Sequence, residues 1–461
     1  MKILRVIASM DPGTGGPCQG VRYSIPVLES LGCTNEVVCL DDPAATFLQA
    51  DPFVIHALGQ GRGPLRYHPA LLPWLTANLS RFDAVIVHGL WLWPSIATWI
   101  ASQRLRKKAR LLATTSGFSA PLTPSSQLPA PAIPPYFVMP HGMLDPWFQK
   151  DKSRKLKAFR NSIYWHLIEN KVIRDASGAL FTCEKELQLA RTSFLNYKPR
   201  REMNVGYGVP DSPVHSEAMD QAFYQQSPAL PKDHPFLLFL SRIHPKKGVD
   251  LLIQAYAEVF RDLPSGKSEK PTDAPRQIPA LVIAGPIDSD YAREMICLAE
   301  SLLPGSVMSP QFPSDIRLPI SDQPYQINRP SIHFTGMLQG LAKWGALYRC
   351  EVFVLPSHQE NFGISVAEAL SCSKPVLISC QVNIAPEISA DCAGLVGKDD
   401  LEGVTSLLRR WKEAQLAQRA ELTRSAYACF ISRFGITSSA GRLLVALREG
   451  YSDNSFTPNP S

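Results

Sequence analysis

The chain has 461 residues, 45% apolar and 19% charged, with 47 Lys and Arg against 41 Asp and Glu and a formal charge of +6. That length predicts two domains or more, each with its own core, and the composition excludes a disordered or fibrous protein. No run of eighteen apolar residues occurs, so a membrane-spanning helix is not expected, and 40 prolines must find places outside strands and helices.

In chain order, short apolar runs alternate with helix-like stretches, the pattern of a parallel sheet covered on both faces. Strands are expected at Ile3–Ala8, Glu36–Leu40, Ala84–His88, Leu111–Thr114, Tyr136–Met139 and Ala179–Phe181. The first is read as a buried strand, not a signal peptide, because a Gly-rich turn stands where a cleavage site would be. A second series follows at Pro235–Leu240, Ala280–Ala284, Ile332–Phe334, Val352–Leu355, Pro375–Ile378 and Ala393–Val396. Helices are expected at Val21–Leu31, Val249–Phe260, Tyr291–Leu303 and Leu401–Trp411.

Two series of six strands imply two doubly wound domains enclosing a cleft, with ligands at the carboxyl ends of the strands. The expected layout is an N-terminal Rossmann-like domain over 1–210 and a linker over 211–233 with little apolar periodicity. A second Rossmann-like domain over 234–435, a returning helix over 436–451 and a disordered tail over 452–461 complete it. The ten cysteines form no C-x-x-C pair and several lie in apolar segments, which points to a reduced, cytoplasmic protein. Prolines cluster at Pro121–Pro135, Pro264–Pro279 and Pro304–Pro330, read as surface insertions.

Three motifs are set aside. Ser265-Gly266-Lys267-Ser268 lacks the leading glycine and strand of a phosphate-binding loop, and Gly59, Gly61 and Gly63 miss the dinucleotide spacing. Asp288-Ser289-Asp290 has metal-binding spacing but also suits a helix start, and the cap is the preferred reading.

The chemistry concentrates in Val352–Ser379. A strand ends at Pro356-Ser357, a loop carries Glu360-Asn361-Phe362-Gly363, and a helix starts near Ile364. Gly363 allows close backbone approach, and the N–H groups at the helix start suit a diphosphate. Glu360 and Glu368 cannot bind phosphate but can accept hydrogen bonds from sugar hydroxyls; the plainer alternatives are a helix cap and a solvated glutamate. Arg242 and Lys247-Gly248, at the end of another strand, can neutralise a diphosphate without a metal, unless they are ordinary surface cations.

Arg242-x4-Lys247-Gly248, Pro356-Ser357 and Glu360-x7-Glu368 together resemble glycosyltransferase family 4, with its GT-B fold. Asp11–Pro17, Tyr136–Phe148, Ala284-Gly285-Pro286 and Phe334–Leu338 match further stations, so the resemblance covers nearly the whole chain. It implies an α/β GT-B architecture of two facing Rossmann-like domains with a cleft between them. The implied activity is that of a retaining, metal-independent hexosyltransferase-type enzyme using a nucleotide-diphosphate sugar, with no cofactor. The implied acceptor is a glycan or lipid-linked sugar in cell-surface polysaccharide biosynthesis.

By the same resemblance, Arg242 and Lys247 bind the diphosphate, Glu368 holds the ribose and Glu360 contacts the donor sugar. Phe362, Gly363 and Ile364 meet phosphate or sugar through their backbone, and Gly336, Met337 and Leu338 flank the base. Gly15 and Gly16 admit the diphosphate, and His141 reaches the transferred sugar; otherwise His141 is a strand-end histidine bonded to a loop. Departures are Asn361, where many members have Gly, and Val205-Gly206-Tyr207-Gly208-Val209, where many have a Pro-Asn-Gly-Val turn.

Lys150–Arg160 and Arg104–Arg110 carry six and five cations. They suggest a peripheral position on the inner face of an anionic membrane, the alternative being solvated helix faces. No nucleic-acid motif accompanies them. Two other functions fit the same architecture, a nucleotide-sugar 2-epimerase and a catalytically silent scaffold. The first needs acid and base residues not identifiable here, and the second has no need of the charged set.

Overall fold

A computed structural model describes residues 1–115, 133–147, 155–261, 277–310 and 329–453. The chain divides into two compact units, 1–210 with 436–461, and 211–435.

The first unit is built on seven strands: β1 (Lys2–Ile7), β2 (Thr34–Cys39), β3 (Val54–Ala57), β4 (Ala84–His88), β5 (Tyr136–Met139), β6 (Gly178–Phe181) and β7 (Glu202–Asn204). They pair in parallel in the order β3-β2-β1-β4-β5-β6-β7. The order reverses direction between β1 and β4, which makes the carboxyl ends of those strands the natural ligand position. Leu4 and Val6 of β1 face one core with Val85, Val87, Tyr136 and Val138. Ile3 and Ile7 face the opposite side, which is covered by helices Gly16–Ser30 and Ile436–Asp453. Arg5 interrupts this otherwise apolar strand and is 1% exposed.

The second unit repeats the plan with β8 (Phe236–Leu240), β9 (Ala280–Ala284), β10 (Val307–Met308), β11 (Ile332–Gly336), β12 (Val352–Leu355), β13 (Val376–Ser379) and β14 (Gly394–Gly397). All are parallel, in the order β10-β11-β9-β8-β12-β13-β14, with the reversal between β8 and β12. Because helices cover both faces, β8 reads as the continuous apolar run FLLFL, without alternation.

Among the described residues each sheet therefore has seven strands where six were expected. The short edge strands β3, β7 and β10 were missed, the last lying inside the third proline-rich stretch. Leu111–Thr114 is not a strand but the end of the helix Trp93–Thr115. The preceding RLRKKAR is rich in strong helix formers, and these carry the helix through the apolar residues. The stretch 211–233, expected as a linker, contains the helix Glu217–Gln226, with Met219 and Phe223 buried. Gly345 of the helix Gly340–Arg349 leaves room for it, since a Cβ there would lie 2.1 Å from the Met219 carbonyl oxygen.

Ser289 caps the helix Asp290–Leu302 by accepting from the Ala292 N–H at 3.1 Å, in line with the cap reading. The Ser265–Ser268 motif, most of each proline-rich stretch, residues 150–154 of the basic segment and the tail beyond 453 lie outside the described residues. All ten cysteines are free thiols, and no described helix is long and apolar enough to cross a membrane.

Candidate functional site: the strand ends of the two units

In the second unit, chemistry gathers at the reversal point. Strand β8 runs into Ser241-Arg242, then a short turn of helix Pro245–Lys247, whose cap is His244. Gly248 follows with φ +65° and opens the helix Val249–Arg261. A Cβ on Gly248 would stand 2.2 Å from the Pro356 carbonyl oxygen, so glycine is what lets the turn after β8 pack against the turn after β12. That packing carries Lys247 to Glu360, and the two form an ion pair.

Burial alone would push the Glu360 carboxyl up. Lys247, with Lys246 and Arg242 behind it, outweighs burial and holds it below the usual carboxylate range. The Glu360 backbone is anchored as well: its N–H donates to the Gln381 carbonyl at 3.1 Å, and its carbonyl accepts from Asn383 N–H at 2.9 Å. Neither alternative reading suits Glu360 and Lys247: the glutamate caps no helix, and the lysine is 8% exposed.

The helix Ile364–Ser371 begins at Gly363, which has φ +81°. The N–H groups at its start add partial positive charge beside Glu360. Phe362 is buried edge-on against Phe434, with ring centroids 5.6 Å apart. Glu368 is not a solvated helix residue: its side chain is 5% exposed, and Oε1 accepts from Lys343 Nζ at 2.8 Å. Lys343 in turn lies over the Trp344 ring, 4.4 Å from its centroid.

Gly336, with φ +72°, ends β11, and its carbonyl accepts from Gly285 N–H at 2.9 Å. Met337 is 53% exposed while Leu338 is buried. The structure thus joins Lys247 to Glu360 directly, sets Gly363 beside them, and gives Glu368 a separate partner.

In the first unit, Gly15 has φ +100° and precedes the helix Gly16–Ser30. The Tyr207 hydroxyl donates to the Gly16 carbonyl, and its ring stands edge-on to His141 at 6.4 Å. Tyr207 therefore links the glycine turn to the histidine, although Val205–Val209 departs from the family pattern. His141 has φ +53° and Gly142 φ +78°, a sharp left-handed turn after β5. Glu186 holds this turn: Oε1 accepts from Gly142 N–H at 2.5 Å, and Oε2 accepts from the Thr182 N–H and hydroxyl at 2.7 and 2.6 Å.

The loop-bonding alternative for His141 does not hold in its simple form, because Nε2 lies 3.0 Å from Nδ1 of His88, at the end of β4. Burial, then the nearby Arg5, pushes His141 down to about 3, and burial, then His141 and Arg5, lowers His88 as well. Both imidazoles are neutral near neutral pH.

Sequence reasoning missed Lys343, Glu186, His88 and Arg5. His88 could have been found as a polar residue ending a strand whose bounds were read correctly. Lys343 and Glu186 carry no sequence signal, since their partners are 25 and 44 residues away.

Residues 15–208 match the family model described as "Glycosyl transferase 4-like domain", and residues 327–428 match "Glycosyl transferases group 1". A D-inositol 3-phosphate glycosyltransferase of Xylanimonas cellulosilytica is 27% identical over 239 residues, covering 50% of this chain and 46% of that protein. An N,N'-diacetylbacillosaminyl-diphospho-undecaprenol alpha-1,3-N-acetylgalactosaminyltransferase of Campylobacter jejuni is 34% identical over 86 residues, 18% of this chain and 22% of that one. The chain thus spans about half the length of the longer-matching curated relative and less of the other.

Among solved structures, sucrose-phosphate synthase from Thermosynechococcus elongatus aligns over 98% of this chain and 100% of its own, with TM-score 0.62 and 17% identity. Anabaena Alr3699/HepE in complex with UDP and glucose aligns over 97% and 100%, with TM-score 0.63 and 16% identity. These likenesses establish the fold. Two Rossmann-like units of the GT-B type, carrying the two family segments in order, place the chain in the glycosyltransferase family 4 type of GT-B protein.

Proposed function

We propose that the protein is a retaining glycosyltransferase that moves a sugar from a nucleotide-diphosphate sugar to a hydroxyl of a glycan or lipid-linked acceptor in cell-surface polysaccharide synthesis. The observation that carries this reading is the Lys247–Glu360 pair at the reversal point of the second sheet, with Arg242, Lys246 and the start of helix Ile364–Ser371 beside it. The HepE complexes with UDP and UDP-glucose support a nucleotide-sugar donor, and the Campylobacter relative's name supports a lipid-linked acceptor.

In this reading Arg242, Lys247 and the N–H groups following Gly363 bind the diphosphate. Glu360, already oriented by Lys247 and its backbone anchors, accepts from a donor-sugar hydroxyl. Glu368, oriented by Lys343, accepts from the ribose hydroxyls, while Gly336–Leu338 border the base. The acceptor hydroxyl attacks the anomeric carbon on the face from which the diphosphate leaves. The C–O bond to phosphate breaks with its electron pair on the leaving oxygen, which also receives the acceptor's proton. The residues' contribution is positioning and stabilisation of charge on that oxygen, so no side-chain nucleophile is assigned. His141, neutral, contributes a hydrogen bond to the transferred sugar.

The test is a transfer and hydrolysis assay with UDP-, GDP- and ADP-sugars, run with and without EDTA. Turnover that survives EDTA and falls by about 10²-fold or more in Lys247→Ala and Glu360→Ala supports the reading. Unchanged turnover in both variants refutes the site, and loss in EDTA refutes metal independence.

We also propose a peripheral membrane position. On the helical stretch beginning at Lys155, Phe159, Ile163 and Leu167 are 68%, 44% and 60% exposed at intervals of four, with Arg160, Lys171 and Arg174 exposed on the same stretch. Apolar side chains beside cations suit the interface of an anionic bilayer.

A further inference from the structure

Arg5 sits in the middle of β1, on the side of the sheet that Ile3 and Ile7 also face. It is 1% exposed, and among the described residues its Nε and Nη2 reach Asn35 Oδ1 and Ser24 Oγ, each at 3.4 Å. Among the described residues no carboxylate pairs with it. Burial lowers it to about 10, so the guanidinium remains charged at neutral pH. An uncompensated buried charge costs several kcal/mol in protein interiors, and such groups are ordinarily paired.

Beside Arg5 is a cavity of about 30 Å³, lined among others by Ser24, His88, His141, Tyr207 and Ser439. By the usual measure of roughly 10–15 Å³ per water, it holds about two water-sized bodies. His88 is 6% exposed, and its Nε2 is buried without a hydrogen-bond partner among the described residues. Among the described residues no carboxylate lines the cavity. Arg442, near the Val205–Gly206 edge, is half-buried and not part of the lining, and it bonds to the Val205 carbonyl and the Ser438 hydroxyl, so Arg5 is the one fully buried guanidinium here among the described residues.

We propose that this cavity binds a small monovalent inorganic anion, of the halide class, between the Arg5 guanidinium and His88 Nε2. A single negative charge matches the single buried guanidinium flanked by neutral imidazoles, whereas a divalent anion would leave a net charge buried. The volume of about 30 Å³ suits a monatomic ion. The anion accepts from Arg5 and from His88 Nε2–H, answering both unmet requirements at once.

The consequence reaches His141. A neutral His88 that donates from Nε2 has a bare Nδ1, which must accept from His141 Nε2–H across the 3.0 Å contact. His141 then carries a lone pair on Nδ1. The anion therefore selects one tautomer for both rings. The site shares His141 with the donor chemistry proposed above, but anion binding rests on Arg5 and His88 and stands or falls without that chemistry.

The test uses the purified full chain at constant ionic strength, with gluconate, a bulky organic anion, replaced stepwise by chloride. The melting temperature should rise saturably, by roughly 3–6 °C at tenfold excess over half-saturation. Arg5→Met should abolish that rise while melting no lower than the wild type in gluconate. Imidazole nitrogen NMR should show His88 protonated at Nε2 and His141 at Nε2 in chloride. Crystals grown in bromide should give an anomalous peak within hydrogen-bond distance of His88 Nε2. A melting temperature indifferent to the anion, or a chloride response retained in Arg5→Met, overturns the proposal. Should Arg5→Met fail to fold, the bromide crystal decides, and water alone in the cavity overturns it.

Discussion

Glu186 holds Gly142 by its N–H at 2.5 Å, and through that bond it fixes the turn that presents His141. The carboxylate accepts three hydrogen bonds while 3% exposed, and both residues of the turn have positive φ. A neutral amide cannot reproduce this, because one end of glutamine is a donor and would face either Gly142 N–H or the Thr182 donors. Glu186→Gln should therefore lower stability by about 1–3 kcal/mol. It should also reduce turnover more than it raises KM, since the donor residues of the second unit are untouched. Denaturant unfolding and steady-state kinetics check both; unchanged stability would mean the clamp is unimportant.

The Lys247–Glu360 pair makes stability depend on pH in a defined direction. Glu360 has its carboxyl held low in the folded state, so it releases its proton more readily when folded than when unfolded. Its contribution is complete above the ordinary value near about 4.5 and is lost as pH falls through the depressed folded value. Stability profiles of the wild type and Glu360→Gln should run parallel above about pH 5 and converge below it. Convergence at higher pH would contradict the pairing.

Glu169 behaves in the opposite sense. It is fully buried in the helical segment Trp165–Glu169, with Oε1 accepting from Trp91 N–H at 2.8 Å and the Ser95 hydroxyl at 3.0 Å, while Oε2 has no partner among the described residues. Burial, against those two bonds, raises it to about 7. Here the folded state favours the proton, so stability is lost as pH rises between the ordinary value and about 7. Glu169→Gln, which imitates the protonated acid, should gain on the wild type as pH rises from about 5 to 8, by up to about 3 kcal/mol. Thermal unfolding at the two pH values measures it.

The exposed row Phe159, Ile163 and Leu167 leads to a binding prediction. Replacing the three by serine should weaken binding to anionic vesicles at moderate salt by about tenfold or more, with little effect on folding. Co-sedimentation with phosphatidylglycerol vesicles reads the effect, and wild-type protein that stays in solution even at low salt would refute the membrane proposal.

Much of the fold was legible because parallel strands covered on both faces must be apolar throughout. Ala84–His88, Tyr136–Met139, Ala280–Ala284 and Val352–Leu355 were located to the residue for this reason. Val54–Ala57 and Glu202–Asn204 escaped because edge strands are half-exposed and need no apolar run. Leu111–Thr114 misled because a short apolar run is ambiguous until the helix formers before it are weighed.

At the site, the sequence by itself determined which charged and glycine residues stand at strand ends: Arg242, Lys247, Gly248, Glu360 and Gly363 are displayed by local strand, turn and helix signals. Only the tertiary structure decided their partners. Lys247 meets Glu360 because β8 and β12 are neighbours, and Glu368 meets Lys343 because two helices lie side by side. The sequence likewise placed 40 prolines and a +6 charge, yet not that one of those cations, Arg5, is buried beside a cavity without a carboxylate. The physical reason is the same in each case: strand and helix signals act over a few residues, whereas burial and pairing depend on which distant segments the sheet order brings together.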